Sequence, residues 1–284
     1  VTPASMGDFI QLTTTDDEKV YDGTPLVAGE ASIGLAEGVD ASQLPEGFLD
    51  QFALEYSVDG ATWTADPADI TATDVADTMS AALENPVQVR VTAAGGNFAD
   101  ELPGTEDVVI TPRAIEITAG SASKVYDGVP LMDDTWSMTS ENGFAQLEGG
   151  EPEGFESVFV EGSQTLVGTS DNNVIGYEFN AATDPGNYAV STVDGTLEVT
   201  QRAVTFKGET ATLPYTGSEQ EISGVEAIGL ADGQTFELAY SAKGTLPNAD
   251  PGYPGSFAGQ ARILAADGTD ATANYSVEYA PGTL

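Results

Sequence analysis

An eight-residue motif occurs twice in this chain and constrains its fold more than any other feature. The motif reads KVYDGTPL in its first copy, which ends at Leu26, and KVYDGVPL in its second, which ends at Leu131. The two tyrosines, Tyr21 and Tyr126, are 105 residues apart (126 − 21). Self-similarity at a fixed spacing indicates that the chain is built from copies of one supersecondary unit.

A third copy is found from the stretch upstream of each motif. RAIEIT begins thirteen residues before Tyr126, and RAVTFK begins thirteen residues before Tyr215; DFIQLT is placed in the same way before Tyr21. Tyr215 belongs to LPYTG, which fits the LPxTG pattern cut by sortases. A sorting signal also needs a hydrophobic segment and a basic tail, whereas the 67 residues (284 − 217) after Gly217 begin with SEQEISGVEA. We therefore interpret LPYTG as the third copy of the turn motif.

A second marker closes each unit. It reads GNYAVSTVDGTLEVTQR in the second unit and ANYSVEYAPGTL in the third, with GNFADELPGTEDVVITPR as a looser version in the first. The markers predict three tandem domains, at residues 1–112, 113–201 and 202–284. The first contains an insertion, and the third is divergent. Because its closing strand stops at PGTL, we expect the third domain to be truncated at its end.

Alternation of apolar and polar residues dominates the sequence, as at residues 87–91, 115–117 and 204–206. A period of two is typical of half-buried strands. Asp-Gly and Pro-Gly pairs between these stretches supply residues that tolerate positive φ in turns. The sequence thus predicts an all-β protein of three small domains, β-sandwich or β-grasp-like. Since the connections near residues 112 and 201 are short, we expect an elongated rod.

One segment departs from this alternation. Val75, Met79 and Leu83 in DVADTMSAALENP are spaced at i, i+4 and i+8. This spacing predicts a short helix of two to three turns in the first domain, with a decorated loop as the alternative.

The motif tyrosines are candidate structural residues. We expect Tyr21, Tyr126 and Tyr215 to pack beneath their turns, with the hydroxyl groups reaching backbone atoms. The pairs at residues 22–23 and 127–128 are the expected turn centres.

The repeated motifs resemble the YDG and MBG-type repeat domains of bacterial cell-surface proteins. The resemblance is carried by KVYDGTPL and KVYDGVPL, by RAIEIT upstream, and by VEGSQTLVGTSDN and YSVDGATWT. It covers all three units and is weakest in the third, where Leu213 and Thr216 replace the lysine and the aspartate. It implies tandem all-β modules on large secreted or wall-attached proteins, which serve as stalks or adhesive segments. The implied location is extracellular, at the bacterial cell surface or cell wall.

Composition excludes several classes of function. The chain has no Cys and no His, which removes disulfides, Ser-His-Asp chemistry and Cys-His chemistry. It carries 46 Asp plus Glu against 8 Lys plus Arg, a formal charge of −38. A field of this sign repels nucleic acid and anionic lipid, and it favours a solvated surface. No apolar run is long enough to span a membrane, so we expect no membrane insertion of this segment and no nucleic-acid partner.

The remaining chemical options depend on oxygen ligands. Paired carboxylates are the only catalytic option left; acidic groups lie beside the turn motif at residues 16–18 and 133–134, and nothing in the sequence indicates a cleft around them. Weak calcium binding is the better alternative, with DNN at 171–173 and DGTD at 267–270 as loosely suggestive stretches. Lys19 and Lys124, which share a repeat position beside a turn, are expected to be solvated rather than joined in isopeptide bonds. The sequence assigns no catalytic, cofactor-binding or metal-binding residue.

We therefore predict a non-enzymatic, monomeric stalk or spacer segment of an adhesin-like surface protein. The alternative is an adhesion module that binds a host glycan or protein through Trp63, Trp136 or Tyr253, because aromatic faces stack on sugars and anchor protein contacts. A calcium-stabilised surface domain is a second alternative.

Overall fold

Strands run throughout the described chain, as the alternating pattern predicts. The computed structural model describes residues 2–139, 143–146, 149–247 and 252–284. The protein is all-β and contains several small sheets, so the predicted fold class is confirmed. No helix in these ranges is long and apolar enough to cross a membrane.

The described residues contain twenty-two strands, distributed over the three sequence repeats. In the first repeat they are β1 Ile10–Thr13, β2 Asp17–Val20, β3 Leu26–Val27, β4 Ser32–Leu35, β5 Phe52–Ser57, β6 Thr71–Ala72, β7 Val87–Ala93, β8 Leu102–Glu106 and β9 Val108–Thr111. In the second they are β10 Arg113–Ala119, β11 Ala122–Val125, β12 Trp136–Thr139, β13 Phe155–Glu161, β14 Gly168–Phe179, β15 Tyr188–Val193 and β16 Gly195–Thr200. In the third they are β17 Arg202–Gly208, β18 Gln220–Ile222, β19 Val225–Ile228, β20 Thr235–Gly244, β21 Ser256–Leu264 and β22 Tyr275–Ala280.

The helical content consists of short 3-10 turns. Those in the described residues are Met6–Asp8, Ala41–Gln43, Phe48–Gln51, Pro67–Asp69, Val75–Asp77, Ala81–Leu83, Pro185–Asn187 and Thr272–Asn274.

The helix predicted over residues 74–86 is wrong. Two separate 3-10 turns form instead, because the backbone between them is extended and pairs with β9. The N–H of Met79 donates to the carbonyl of Val108 at 2.9 Å, and the N–H of Val108 donates back at 2.8 Å. The second turn ends at Glu84, whose φ of 61° lies in the left-handed region. Pairing with a distant strand thus overrides the local helical spacing.

The chain folds into two compact units. One comprises Val1–Glu116, Met138–Ser157 and Tyr177–Ser191, and the other comprises Ile117–Ser137, Val158–Gly176 and Thr192–Leu284. The second sequence repeat therefore contributes residues to both units. The three-domain boundaries and the rod remain predictions.

Each of the first two repeats closes with a parallel strand pair. β2 pairs with β9 in the register Asp17↔Val108 to Val20↔Thr111. β11 pairs with β16 in the register Ala122↔Leu197 to Val125↔Thr200. The closing strand alternates strictly between buried and exposed residues in β16, which is the pattern of a strand with one face on the core. The closing strand thus lies against the segment that leads into the YDG turn.

The apolar residues of the alternating strands form the core of each unit. In the first unit, Val87, Val89, Ile110 and Ile115 are at most 1% exposed and belong to one cluster. In the second unit, the corresponding cluster includes Val199, Val204, Phe206 and Ile263. A second, smaller cluster accompanies each of them.

A buried acidic residue interrupts the core of the first repeat. Glu106 is 1% exposed, and neither of its carboxylate oxygens has a hydrogen-bond partner. Burial, together with the nearby carboxylates of Asp17 and Asp16, raises the pKa of Glu106 to about 7. The other two repeats have Gly195 and Gly282 at this position, where a Cβ would lie 2.0 and 2.1 Å from a backbone carbonyl oxygen.

This raised pKa predicts a pH-dependent stability that Glu106→Gln removes. Below the ordinary pKa of 4.5, the carboxyl is protonated in both states. As the pH rises from about 4.5 to about 7, the unfolded chain loses the proton and the folded protein keeps it, so stability falls. Well above pH 7 the loss is complete and amounts to about 3 kcal/mol, since each pKa unit corresponds to about 1.4 kcal/mol; Glu106→Gln cannot ionise and lacks this loss.

Urea denaturation at pH 4.5 and pH 8 measures this difference. The exposed Glu18→Gln is the matched control, because it removes the same charge from the same repeat. An equal pH dependence in Glu106→Gln and Glu18→Gln contradicts the prediction.

Candidate functional site

The tyrosine of the YDG motif packs against a tyrosine of the following repeat. The rings of Tyr21 and Tyr188 meet edge to face, with centroids 5.5 Å apart and an interplanar angle of 81°. The rings of Tyr126 and Tyr275 repeat this geometry at 5.5 Å and 82°. Tyr188 and Tyr275 are the tyrosines of the closing Asn-Tyr markers. We call these two ring pairs, with the polar groups around them, the first and second inter-repeat joints.

A polar side chain lies at the centre of each joint, buried in the first (Glu153) and partly buried in the second (Gln234). In the first, Glu153 accepts hydrogen bonds from Tyr188 Oη at 2.6 Å and from Tyr21 Oη at 3.2 Å. In the second, Gln234 accepts from Tyr275 Oη at 2.7 Å and donates its amide to Tyr126 Oη at 2.9 Å. Each centre bridges two phenol groups; Tyr188 and Tyr275 also accept hydrogen bonds from the backbone N–H groups of Ala145 and Ala231, at 3.0 and 2.9 Å.

The phenol groups of the first joint stay protonated over the physiological range. Burial, strengthened by the negative charge of Glu153, raises the pKa of Tyr21 to about 12. Burial and the hydrogen bond to Glu153 also raise the pKa of Tyr188. Both hydroxyl groups therefore remain donors, and Glu153 remains their shared acceptor.

The asparagine of the closing marker in the second and in the third repeat forms hydrogen bonds to the preceding repeat. Asn187 Oδ1 accepts from the N–H of Val75 at 2.9 Å, and its amide donates to Asp74 at 2.7 Å. Asn274 Oδ1 accepts from the N–H of Val167 at 2.9 Å. The two asparagines thus have the same task, and this explains why both markers contain Asn before Tyr.

The arginine that opens each later repeat completes the joint. Arg113 donates to the carbonyl of Gly143 at 2.6 Å and to the carbonyl of Tyr21 at 3.1 Å. Arg202 donates to the carbonyl of Gly229 at 2.6 Å and approaches that of Tyr126 at 3.5 Å. Each arginine therefore fixes the backbone of the YDG turn in the preceding repeat.

The lysine and aspartate of the motif stabilise the turn itself. Asp22 and Asp127 each accept from the backbone N–H two residues ahead at 2.9 Å. Lys19 and Lys124 lie 2.8 and 2.7 Å from these carboxylates. Burial alone would raise the pKa of Asp22, but hydrogen bonds from Lys19 and Thr24 lower it to about 2.

The glycines confirm the predicted turn centres. Gly23, Gly128 and Gly217 have φ values of 78°, 82° and 83°, in the left-handed region that favours glycine. The predicted position of the tyrosines needs correction in two respects. Tyr21 and Tyr126 are buried, but their hydroxyl groups bond to side chains of the next repeat rather than to backbone. Tyr215 is 59% exposed and lies in no ring pair within the described residues.

The candidate oxygen ligands act as turn and backbone supports. Asn172 is fully buried, and its amide donates to the carbonyls of Gly120 and Asp133 at 2.9 and 2.8 Å. Asp267 and Asp270 each accept from a backbone N–H two residues ahead. Among the residues that the structure describes, no group of three acidic side chains is placed to hold a metal ion. Calcium binding stays a prediction.

The acidic pairs have similar structural surroundings. Asp16 accepts from the N–H of Asp107 at 2.8 Å, and Asp17 is the carboxylate beside Glu106. Asp133 accepts from the N–H and the hydroxyl of Thr135 at 2.9 and 2.6 Å.

The three candidate aromatic platform residues differ in their surroundings. The guanidinium carbon of Arg90 lies 4.0 Å from the ring centroid of Trp63, a cation–π contact. Trp136 is 41% exposed. Tyr253 Oη donates to the carbonyl of Leu246 at 2.9 Å. Of the three, Trp136 presents the most open surface.

Sequence reasoning did not find Glu153 and Gln234. Neither lies in the repeated motifs, and the two differ in charge. Their shared position becomes visible only from the tyrosines that they bridge. No protein-family model matches this sequence, and no curated protein matches it as a relative.

The joints predict that replacing the motif tyrosine by alanine lowers the free energy of unfolding far more at Tyr126 than at the equivalent Tyr215. Tyr126→Ala removes a ring that is 2% exposed, so we expect a loss of about 3–5 kcal/mol in the free energy of unfolding. Tyr215→Ala removes a ring that is 59% exposed, so we expect a change within about 0.5 kcal/mol. Urea denaturation of both variants tests this; similar losses would contradict the role of the ring pair.

The polar centre of the first joint predicts that Glu153→Ala lowers the stability of the protein more than Glu153→Gln does. Glu153→Ala leaves two buried phenol groups without an acceptor and should cost about 2–4 kcal/mol. Glu153→Gln reproduces the side chain of the second joint, which satisfies both phenols, and should cost less than about 1 kcal/mol. Thermal and urea denaturation measure both. Equal losses in the two variants would show that the joint requires the negative charge itself.

Proposed function

We propose that this chain is a non-enzymatic spacer segment of a bacterial cell-surface protein of the YDG and MBG type. In this proposal, three tandem β domains form an elongated, extracellular rod that holds an adhesive region away from the cell. The supporting observation is that one joint is built twice, from the same tyrosine pair and the same arginine and asparagine contacts.

A repeated joint suits a spacer because it fixes each repeat on the next at several independent points. The ring pair supplies buried apolar area and a preferred edge-to-face geometry. The polar centre and the arginine add hydrogen bonds whose geometry is directional. A flexible linker supplies neither, so joints of this kind restrict motion between consecutive repeats.

The negative charge supports the same proposal. Its formal value of −38 keeps copies of the chain apart in solution and favours a monomer. Glu106, whose pKa is raised to about 7, is too deeply buried to reach a substrate. Its perturbed pKa therefore has a structural cause, which favours a spacer over an enzyme.

Small-angle X-ray scattering tests the rod. We expect an extended particle whose radius of gyration clearly exceeds the ~19 Å of a compact protein of this length. The Tyr21→Ala/Tyr126→Ala variant should give a broader, more flexible profile because both joints lose their ring pair. Tyr215→Ala is the matched control and should leave the profile unchanged. A compact native particle would overturn the proposal.

A binding assay separates the spacer from the adhesion module. The isolated chain should bind no glycan on an array of host glycans. Binding that is lost in Trp136→Ala, the most open of the three candidate aromatics, would instead support the adhesion module.

A further inference from the structure

Two acidic side chains of the first repeat have buried carboxylate oxygens without hydrogen-bond donors. Glu106, at the end of β8, is 1% exposed, and neither of its carboxylate oxygens has a hydrogen-bond partner in the protein. Asp17, at the start of β2, has one carboxylate oxygen, Oδ2, that is likewise buried and without a partner. Within the described residues, neither carboxylate forms an ion pair. Burial of anionic oxygens in this way is costly unless a positively charged group binds them.

The strand register brings these two carboxylates together. Asp17 pairs with Val108 across the parallel β2–β9 ladder, and the N–H of Asp17 donates to the carbonyl of Asp107 at 2.8 Å. Glu106 and Val108 are both buried, whereas Asp107 between them is partly exposed. The side chain of Glu106 therefore lies on the same face as that of Val108, next to Asp17.

A backbone carbonyl adds a neutral oxygen beside the pair. A Cβ on Gly29 would lie 2.5 Å from Asp17 Oδ2 and 2.9 Å from the carbonyl oxygen of Thr15. These two oxygens therefore border the same small space, which Gly29 leaves free of a side chain. Thr15 is exposed, so this side of the space is close to solvent.

The other two repeats lack both acids and have no room for them. The equivalents of Glu106 and Asp17 are Gly195 and Ala122 in the second repeat, and Gly282 and Ala211 in the third. A Cβ on Gly195 would lie 2.0 Å from the carbonyl oxygen of Gly120, which is the equivalent of Thr15. The first repeat must hold this carbonyl further from residue 106, because Glu106 has a side chain. The two acids thus occur together, in the repeat whose backbone makes space for them.

We propose that Glu106, Asp17 and the carbonyl of Thr15 form a binding site for one calcium ion. Two acidic side chains are sufficient, because each carboxylate can bind through two oxygens and the carbonyl adds another. A divalent cation neutralises the pair and so offsets both its burial and its mutual repulsion. Calcium is favoured over magnesium because it accepts irregular sets of oxygen ligands, whereas magnesium requires near-octahedral geometry and retains several waters. This inference stands on the buried oxygens of the first repeat and is independent of the spacer proposal.

Calorimetric titration of the full chain with CaCl2 tests the site. A background of about 0.15 M NaCl screens diffuse binding to the acidic surface. We expect one calcium ion per chain at this site, and binding at least about tenfold weaker in both Glu106→Gln and Asp17→Asn, since each variant removes a charged ligand. Glu18→Gln is the matched control, because it removes the same charge from the adjacent position of β2; it should bind calcium as the native chain does.

Urea denaturation in calcium and in chelator, at equal ionic strength, gives a second readout. An ion that binds only the folded state raises its stability, so calcium should raise the urea midpoint of the native chain and of Glu18→Gln. It should leave the midpoints of Glu106→Gln and Asp17→Asn unchanged.

Three outcomes overturn the proposal. An equal calcium response in all four proteins would show diffuse binding to the negative surface. A response lost in only one of the two site variants would exclude a site built on both carboxylates. The absence of a response in the native chain would assign the pair to a shared proton. Scattering and glycan binding do not enter these measurements, so each of these outcomes leaves the spacer proposal intact.

Discussion

The edge-to-face contact between two tyrosines from consecutive repeats is the interaction on which the rest of this structure depends. Each ring belongs to one of the two sequence markers, so the contact explains why both markers contain a tyrosine. The YDG turn presents the first ring, and the Asn-Tyr marker presents the second. Around this contact, the glycine in the left-handed region, the lysine–aspartate pair and the arginine all keep the turn in place. Without the ring pair, these features would stabilise only an isolated surface turn.

Four of the eight basic residues of this acidic chain lie at the YDG turns and joints. Two lysines close the YDG turns, and two arginines reach across the joints. Arg90 contacts Glu55, Glu101 and the ring of Trp63. Lys19 and Lys124 each bind both a carboxylate and a backbone carbonyl of their turn, so each combines charge pairing with support of the backbone. These basic residues thus stabilise local structure, whereas Lys243 and Arg262 form ion pairs at the surface.

The sequence predicts the strands and the repeat register well, because both depend on local patterns. The strands around Ile115 and Val204 can be predicted from the alternation of neighbouring residues. The turns can be predicted from their glycines, because glycine readily adopts a positive φ. The position of the tyrosine hydroxyl groups could not be predicted in this way. Tyr21 meets Glu153, 132 residues further along the chain, and no periodicity connects the two. The segment around Met79 likewise follows a distant strand, β9, rather than its own helical spacing.

The likeness of the two joints has a consequence for how a tandem chain assembles. Consecutive domains of similar sequence are prone to pair wrongly while they fold, because each can accept the neighbour of another. A phenol hydroxyl can both donate and accept, so Tyr21 and Tyr126 can each be satisfied by Glu153 or by Gln234. The polar centres alone therefore do not exclude a swapped pairing. The native pairing is favoured by the covalent chain, which keeps each YDG turn at a high effective concentration near the closing marker of the following repeat.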